Sequence, residues 1–379
     1  MRPTVVKTTL ISMLAAAALL GASCSSDSSD AASDSNGTSD SSSIAEAKSA
    51  VEELIKRPTQ IQVTTPLEGD VPTGKTAAWL ECSIPDCQIL GPPLAEALNE
   101  FGWKMNTIDA GLTPEKVKDA WGLAVRGKPG AVFATGFGQS IFSEELGQLT
   151  SAGIPVINGF VADKSGKGGV SAVIGGSETS RAIGDAFANW VLAEKGKDAK
   201  VLLVHSSTFP TLLDVREGFE TRYKELCSTC KLEVLDVPAE KFGAGLPAEV
   251  VAKLQSNRDI NYVVADEGSM LLGLPQAMET ANLNDIGVIG QYPSETSVEY
   301  LSSGKIVKAI VMPSMTDAMW NMADAMARLE SGQSIAENEA AGPIWIVTPK
   351  TASQLKTPYH LIEGYQDEYR KLWSGVTGG

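Results

Sequence analysis

Short apolar stretches alternate with longer amphipathic stretches along most of this chain. Apolar runs of strand length occupy residues 76–81, 105–108, 131–134, 154–157 and 171–174. Between them, apolar residues recur at helical spacing, as Val117, Trp121 and Val125 do after the N-capping residue Thr113. Because strands that alternate with helices form parallel sheets covered on both faces, this pattern predicts an α/β fold.

The alternation starts again after a long helix predicted over residues 177–195. Further strands are predicted at 200–205, 231–237, 262–265 and 287–290, with helices at 212–226, 247–256 and 270–281. Two successive runs predict two doubly wound parallel-sheet lobes. Ligands of such sheets bind beyond the carboxyl ends of the strands, so we expect one site in the cleft between the lobes, closed by a hinge.

The first 24 residues have the features of a lipoprotein signal peptide. Arg2 and Lys7 precede an apolar stretch at 10–20, and small residues lead up to Cys24. A plain signal peptide or an anchor helix is the alternative, since Gly21 stands where lipoproteins prefer an aliphatic residue. The apolar stretch is short for a membrane span. We therefore predict lipidation of Cys24 and an extracytoplasmic protein anchored to the cell membrane.

The composition after the leader limits the possible partners. Residues 25–45 are mainly Ser and Asp and have little apolar surface to bury, which predicts a disordered linker. The whole chain has a net charge of −15. Because nucleic acid requires a clustered positive surface, we do not expect it as a partner.

Four further cysteines stand in two close pairs, Cys82/Cys87 and Cys227/Cys230. In an exported protein this arrangement favours two local disulfides. A zinc site is the alternative, but the two pairs lie far apart in the sequence and the chain has only 2 histidines. We expect neither a metal nor another cofactor.

Several short segments follow one another in a characteristic order. They are Ala-Gly-Ile-Pro-Val-Ile at 152–157, Arg-Glu-Gly-Phe at 216–219, Val-Val-Ala-Asp-Glu at 263–267 followed by Gly273, Val-Ile-Gly at 288–290, and Lys-Ala-Ile-Val-Met-Pro at 308–313. Over residues 70–350, their order and spacing resemble the type I periplasmic binding proteins, specifically the ribose-binding-protein-like receptors of ABC importers.

The resemblance implies a chain that crosses three times between its lobes. The N-terminal lobe would comprise residues 60–176 and 313–341, and the C-terminal lobe residues 177–312 and 344–357, joined by a three-crossover hinge. Residues 358–379 lie beyond the family core, and we expect them to form a helix on the surface. The resemblance also implies a monomer that binds a small molecule without catalysis and meets an ABC permease in the membrane.

Positions that hold sugars in this family have other residue types here. Counting from the motifs, an Asp-Arg pair falls at Phe160 and Val161, an arginine at Leu213, an asparagine at Glu267 and an aspartate at Tyr292. The hydroxyl groups of a pyranose would lack partners, and an unpaired buried polar group costs about 1–3 kcal/mol. We therefore predict a flatter, more apolar ligand, such as an aromatic or alicyclic acid, rather than a common sugar.

The candidate ligand-binding residues combine aromatic rings with a few polar groups. They are Ser83, Asp86, Phe137, Asn158, Phe160, Ser177, Phe209, Leu213, Arg216, Phe242, Asp266, Glu267, Gln291 and Tyr292. Core packing is the alternative for the rings. For Arg216, a surface ion pair with Asp214 or Glu217 is the stronger alternative.

Other functions stay open on the sequence alone: a sugar receptor of the same family, a sensor, a structural surface lipoprotein or a hydrolase. Asp266 and Glu267 are adjacent carboxylates at a strand end, but consecutive strand residues point to opposite faces. The sequence contains no Gly-x-Ser-x-Gly, phosphate-loop or His-Glu-x-x-His motif. We therefore expect no catalytic residue.

Overall fold

The computed structural model describes residues 35–376, with side chains from residue 42 onward. The predicted signal peptide, the lipidation of Cys24 and the first part of the predicted linker lie outside the described residues. None of the helices within residues 35–376 is both long enough and apolar enough to cross a membrane.

The strands of the described chain form two separate sheets. The first sheet contains β1 (Thr76–Cys82), β2 (Lys104–Gly111), β3 (Ala131–Thr135), β4 (Val156–Gly159) and β5 (Ala172–Ile174). The second contains β6 (Lys200–His205), β7 (Lys231–Asp236), β8 (Tyr262–Ala265), β9 (Gly287–Gln291), β10 (Val307–Pro313) and β11 (Ile344–Val347).

The two sheets share one topology. The first has the strand order β2-β1-β3-β4-β5 with every pair parallel. The second repeats that order as β7-β6-β8-β9-β10 and adds β11, which is antiparallel to β10. In sheets of this kind the ligand site lies beyond the carboxyl ends of the strands, at the point where the strand order reverses.

Helices cover both sheets. They are α1 (Ser35–Leu54), α2 (Pro85–Gln88), α3 (Gly91–Glu100), α4 (Pro114–Gly127), α5 (Ser143–Ser151), α6 (Ser177–Lys195), α7 (Pro210–Leu226), α8 (Leu246–Ser256), α9 (Leu274–Thr280), α10 (Glu295–Ser303), α11 (Thr316–Ser331), α12 (Ala336–Glu339) and α13 (Tyr365–Trp373). Local signals explain their starts: α4, for example, begins at a proline whose preceding residue, Thr113, accepts a hydrogen bond from the Lys116 N–H.

The chain passes between the lobes at three places. After β5 it enters α6, which packs on α7 and β10 of the second lobe. After β10 it returns in α11, which packs on α3, β4 and β5 of the first lobe, and after α12 it crosses again to β11. The predicted fold of two doubly wound parallel-sheet lobes joined by three crossings is confirmed.

The predicted disordered linker is wrong over residues 35–45, which are helical and belong to α1. This helix packs on α6 and α7 of the second lobe. Its apolar positions share one face and contact the core: Ile44, Ala47, Val51 and Leu54. An ion pair of 2.6 Å between Glu46 and Arg222 adds to the contact. The Ser and Asp content concealed the helical spacing of these apolar residues.

The C-terminal helix α13 is more deeply placed than the predicted surface helix. Its residues Tyr365, Tyr369 and Trp373 are buried in the core of the first lobe. The Trp373 ring stacks on Trp320 of α11, with ring centroids 5.2 Å apart and planes 3° apart. Because aromatic rings bury large areas, α13 is part of the core of this lobe and not an addition to its surface.

Candidate functional site

A cavity of about 80 Å³ lies between the two lobes, at the carboxyl ends of the strands of both sheets. The first lobe contributes Ile84, Asp86, Cys87, Leu90, Thr135, Gly136, Phe160 and Gly175 to its lining. The second lobe contributes Thr179, Ser180, Ile183, Phe209, Thr211, Leu212, Val215, Glu267, Gln291 and Tyr292, and the crossing after β10 contributes Pro313 and Met315. Most of these side chains are apolar.

The lobes touch each other around this cavity. The rings of Phe137 and Phe209, one from each lobe, have centroids 5.6 Å apart. Asp86 of the first lobe reaches the loop after β8, where a Cβ built on Gly268 would lie 2.5 Å from its Oδ2 and 2.8 Å from the Gln291 carbonyl oxygen. Only glycine at position 268 therefore leaves room for this approach, and the structure is the closed arrangement of the cleft.

Two carboxyl groups meet across the cleft. The carboxyl groups of Asp86 and Glu267 lie close enough for each to influence the pKa of the other. Burial raises the pKa of Asp86, against the smaller opposing influences of Glu267 and Ser269 beside it. Burial and the nearby Asp86 carboxylate raise the pKa of Glu267 well above its ordinary value. The Ser269 N–H donates to Glu267 Oε2 at 2.8 Å, so Glu267 also caps the turn that follows.

The acid pair has no basic partner in the cavity. Among the described residues that line it, none is Lys, Arg or His. Two further lining oxygens, Thr135 Oγ1 and Gln291 Oε1, have no hydrogen-bond partner although both residues are buried. Because buried polar atoms are normally satisfied, these two oxygens are available to a ligand, and the described lining offers the acid pair no positive charge.

Two aromatic residues of the lining have strained backbones. Phe160 follows β4 and Tyr292 follows β9, which is the fourth strand of each lobe in chain order, and both have φ of 54°. Bulky residues seldom adopt positive φ, and such strain concentrates at functional sites. Each N–H donates to the neighbouring strand, Phe160 to Ile174 O at 2.8 Å and Tyr292 to Val311 O at 3.1 Å. The two lobes thus present one ring each at equivalent positions.

The comparison with protein families agrees with this architecture. Residues 88–334 match the model of the family described as periplasmic binding protein domain. The chain belongs to this family. The predicted resemblance to the type I periplasmic binding proteins is confirmed.

A curated relative and several solved structures are similar to this periplasmic binding protein domain. The ABC transporter periplasmic-binding protein YphF of Escherichia coli (strain K12) is 25% identical over 191 residues, which cover 48% of this chain and 56% of that protein. The matched region thus spans about half of that relative. A glucose-galactose binding protein, GanP, from Geobacillus stearothermophilus has a TM-score of 0.65 at 14% identity, covering 74% of this chain and 99% of that chain.

A further solved structure has the same fold. An ABC transporter solute binding protein from Mycobacterium smegmatis with bound glycerol has a TM-score of 0.64 at 18% identity, covering 75% of this chain and 98% of that chain. A protein named as a putative LacI transcriptional regulator, from Bacteroides fragilis, has a TM-score of 0.66 at 13% identity, covering 75% of this chain and 100% of that chain. At these identities the likeness concerns the fold alone, which transporters and regulators share.

The predicted disulfides are confirmed. Cys82 pairs with Cys87 and Cys227 pairs with Cys230, so these sulfurs are not available for zinc. The first disulfide closes the loop that carries Asp86, and Cys87 itself lines the cavity. A loop closed in this way loses less conformational freedom when a ligand binds.

The structure brings several of the predicted ligand residues to the cavity and leaves others away from it. Those that line the cavity are Asp86, Phe160, Phe209, Glu267, Gln291 and Tyr292. Ser83, Asn158 and Ser177 do not line it, because each is held by another group: Ser83 donates to Asp109 at 2.8 Å, Asn158 to the Phe137 carbonyl oxygen at 3.2 Å, and Ser177 to Asp214 at 2.7 Å.

The remaining predicted residues also lie outside the lining. Leu213 is 49% exposed, and Phe137 packs behind Phe209. Phe242 packs against the hydrophobic core of the second lobe. Arg216 forms an ion pair of 2.6 Å with Glu220, whereas Asp214 pairs with Arg181, so a surface pair exists but with a different partner from those predicted.

Asp266 belongs to a buried pair behind the cavity. Its Oδ2 lies 2.5 Å from His205 Nδ1, and both side chains are fully buried. Burial raises the pKa of Asp266 to about 6, against the hydrogen bond with His205. Asp266 and Glu267 therefore have separate environments, as the alternation of side chains along an extended chain requires.

Several residues of the lining were missed by the sequence reasoning. Six of them belong to the first two turns of α6 and α7, which begin at the cleft: Thr179, Ser180, Ile183, Thr211, Leu212 and Val215. The spacing of three between Ser180 and Ile183 and between Leu212 and Val215 is the signal of one helix face. That signal identifies a buried face but not the cavity that it borders.

Proposed function

We propose that this protein is an extracytoplasmic receptor that captures a small organic solute between its lobes and delivers it to an ABC permease. The observation that carries the proposal is the cavity, which both lobes line with the strand ends of equivalent sheets. A solute that contacts both walls stabilises the closed arrangement over the open one by its additional binding energy. The receptor acts as a monomer, without catalysis and without a cofactor.

The anchoring of the receptor rests on the leader sequence. Lipidation of Cys24 would hold the protein at the outer face of the cell membrane, close to its permease. Mass spectrometry of the N-terminal peptide from the membrane fraction should detect the acylated cysteine. A Cys24→Ala variant should accumulate as unprocessed precursor or leave the membrane fraction.

The mainly apolar lining favours a partly apolar solute over a common sugar. Phe160 and Tyr292 offer ring faces from opposite lobes, and Ile84, Leu90 and Leu212 add aliphatic contacts. The lining disfavours the anionic form of the predicted aromatic or alicyclic acid, because a carboxylate would meet Asp86 and Glu267 without a positive side chain. Empty cavities of ~150 Å³ hold benzene, so a ring-sized solute would hold the cleft wider than the present cavity.

A sugar or polyol receptor is the second candidate. Hydroxyl groups of Thr135, Thr179, Ser180 and Thr211 line the cavity and can exchange hydrogen bonds with a polyol. The solved structures of similar fold include one with bound allitol and one with bound D-fucose.

Hydrogen exchange with a solute panel tests the receptor function. The ligand-free protein is incubated with pentoses, hexoses, polyols and small alicyclic or aromatic compounds. A true ligand should protect backbone amides of both lobes, in segments around 84–90 and 267–292. Protection by partly apolar compounds supports the first candidate, and protection by simple sugars alone supports the second. Protection confined to one lobe with every solute contradicts capture between the lobes.

A pair of variants ties this protection to the cavity. Tyr292→Ala removes a ring of the lining and should weaken ligand affinity by roughly tenfold, as central aromatic contacts usually do. Leu213→Ala is the control, because Leu213 is an apolar residue that is 49% exposed and outside the lining. Equal losses in both variants would contradict the assignment of this cavity as the site.

A further inference from the structure

The charges of the side chains that line the cavity restrict the class of ligand more than its apolar walls do. Asp86 and Glu267 meet there, and Tyr292 and Asp266 are the further acidic groups that face Glu267 or lie beside it. His205, the basic group behind this region, is bound to Asp266 and does not line the cavity. Among the described residues, the cavity walls therefore hold a pair of carboxyl groups without a neighbouring cation in the lining.

Two buried polar side chains of the cavity also have an oxygen atom without a hydrogen-bond partner among the described residues. Gln291 is 2% exposed, and while its Nε2 donates to the Asp266 carbonyl oxygen at 2.5 Å, its Oε1 has no partner. Thr135 is 4% exposed and its Oγ1 also lacks a partner. Because both residues line the cavity, a ligand that donates a hydrogen bond would satisfy Gln291 Oε1, whereas the Thr135 hydroxyl can either donate or accept.

The aromatic lining suits a positive charge. Phe160, Phe209 and Tyr292 all line the space that the acid pair occupies. The faces of aromatic rings attract cations, most strongly where water is excluded. A neutral polyol could donate to the carboxyl oxygens, but it would leave the pair with either a proton to hold or a negative charge to bury.

We infer that the ligand is a small organic amine in its cationic form, whose ammonium group donates to the carboxyl groups of Asp86 and Glu267 while its apolar part lies against Phe160 and Tyr292. This inference rests on the receptor function proposed above and names its substrate class. An ammonium group has three donors, enough for both carboxyl groups and one of the unpartnered oxygens. Its single positive charge balances the one negative charge that the pair carries when it holds one proton.

A matched set of probes tests the inference by isothermal titration calorimetry on the full-length protein in detergent at pH 7.5. The probes are cyclopentylamine, cyclopentanol and cyclopentanecarboxylate, which share one ring and differ in charge. We expect the amine to bind at least about tenfold more tightly than the alcohol, because charge-assisted hydrogen bonds are the stronger ones. The carboxylate should give no measurable heat of binding.

Two isosteric variants locate the charge. Glu267→Gln and Asp86→Asn should each lower the affinity for the amine by at least about tenfold and change that for the alcohol by less than about twofold. Asp119→Asn removes a carboxylate from an exposed position on α4 and should change neither. Amine binding that is insensitive to both cleft variants would overturn the inference, as would alcohol binding as tight as amine binding or a complete failure of the amine to bind.

The outcomes separate this inference from the receptor function. In one outcome, a neutral solute protects both lobes in hydrogen exchange and the protein does not prefer the amine. The inference of a cationic ligand is then wrong, whereas the receptor function is supported. If no solute protects both lobes, the receptor function fails as well.

Discussion

Two buried carboxylate clusters in this protein are built in opposite ways. In the first lobe, the fully buried Asp324 accepts hydrogen bonds from Arg328 Nε at 2.6 Å, Trp373 Nε1 at 2.6 Å and Asn338 Nδ2 at 2.7 Å. In the cleft, Asp86 and Glu267 lie close to each other, and the described residues of the cavity lining include no cation. The first cluster is complete without a ligand, and the second is not.

The difference teaches which cluster serves the fold and which serves the ligand. Asp324 connects α11 to the residues of α12 and α13, so its partners fix the C-terminal helix in the core. A buried charge with all its partners present is a structural element, whereas an uncompensated one destabilises the state that buries it. Such destabilisation persists at binding sites, where a ligand supplies the missing charge.

The largest expected effect comes from removing the cation of the Asp324 cluster, which would leave its carboxylate without a counter-charge, as the carboxyl groups in the cleft are. Arg328→Met removes the cation of Asp324 and also the hydrogen bond to the Thr65 carbonyl oxygen. Since breaking a buried ion pair leaves an uncompensated charge, we expect the free energy of unfolding to fall by about 3–5 kcal/mol. Urea denaturation followed by circular dichroism measures it.

Arg181→Met is the matched control for this loss. Arg181 is 47% exposed and pairs with Asp214 and Glu217, so its removal should cost no more than about 1 kcal/mol. Equal losses for the two variants would mean that the Asp324 cluster does not hold the first lobe together.

The next effect is a pH response of the cleft. Burial raises the pKa of Asp86 and, with the Asp86 carboxylate as neighbour, that of Glu267, so the closed form binds more protons than the open form. The closed form should therefore be most stable at low pH and lose stability as the pH rises from the ordinary Glu value of 4.5 through the raised pKa of Glu267. Hydrogen exchange of the ligand-free cleft, corrected for the intrinsic rate at each pH, should show protection that declines over this range.

Glu267→Gln should remove most of that decline, because the amide keeps the shape and does not titrate. Asp185→Asn is the control, since burial raises the pKa of Asp185 as well, but the residue lies on α6 outside the cavity lining. The account of the acid pair is refuted if the wild-type cleft has the same protection across the range, or if Asp185→Asn abolishes the decline as completely as Glu267→Gln.

The sequence predicted the sheets well because their signals are local. The strand predicted at 262–265 coincides with β8, and that at 131–134 differs from β3 by one residue. The helix α1 was missed because its serines and aspartates outweighed four well-spaced apolar residues in the composition. No strand was predicted at β11, whose antiparallel place beside β10 depends on a chain crossing rather than on a local pattern.

The site was only partly predictable for a related reason. Phe160 and Tyr292 could be found because they directly follow strands, and Asp86 because it lies in the loop region after β1, where ligands of such sheets bind. Leu213 was predicted, but the neighbouring Leu212 lines the cavity: Leu212 is 3% exposed and Leu213 49%. One position along a helix rotates a side chain by about 100°. Counting positions from sequence motifs does not distinguish two neighbouring helix residues, because the packing of the opposite lobe determines which side of the helix is covered.

The smallest expected effect concerns Arg216, a charged residue that lies near the cleft but outside the cavity lining. It pairs with Glu220 at 2.6 Å, and both side chains are about a third exposed. Its charge is the smallest of the influences on two carboxyl groups: it opposes the burial that raises the pKa of Asp266, and it adds to the Ser207 hydrogen bonds that lower the pKa of Asp236. Arg216→Gln should change the free energy of unfolding by less than about 0.5 kcal/mol, as surface pairs one helical turn apart do. Ligand affinity should stay within about twofold of the wild type, because Arg216 does not line the cavity.

Calorimetry on Arg216→Gln beside Glu220→Gln decides what this charge does. If it serves only its surface pair, the two variants should behave alike in denaturation and binding. A large loss of affinity in Arg216→Gln alone would mean that Arg216 supplies the positive charge that Asp86 and Glu267 lack. The cleft cluster would then be compensated by the protein, as Asp324 is, and the contrast between the two clusters would no longer point to a cationic ligand.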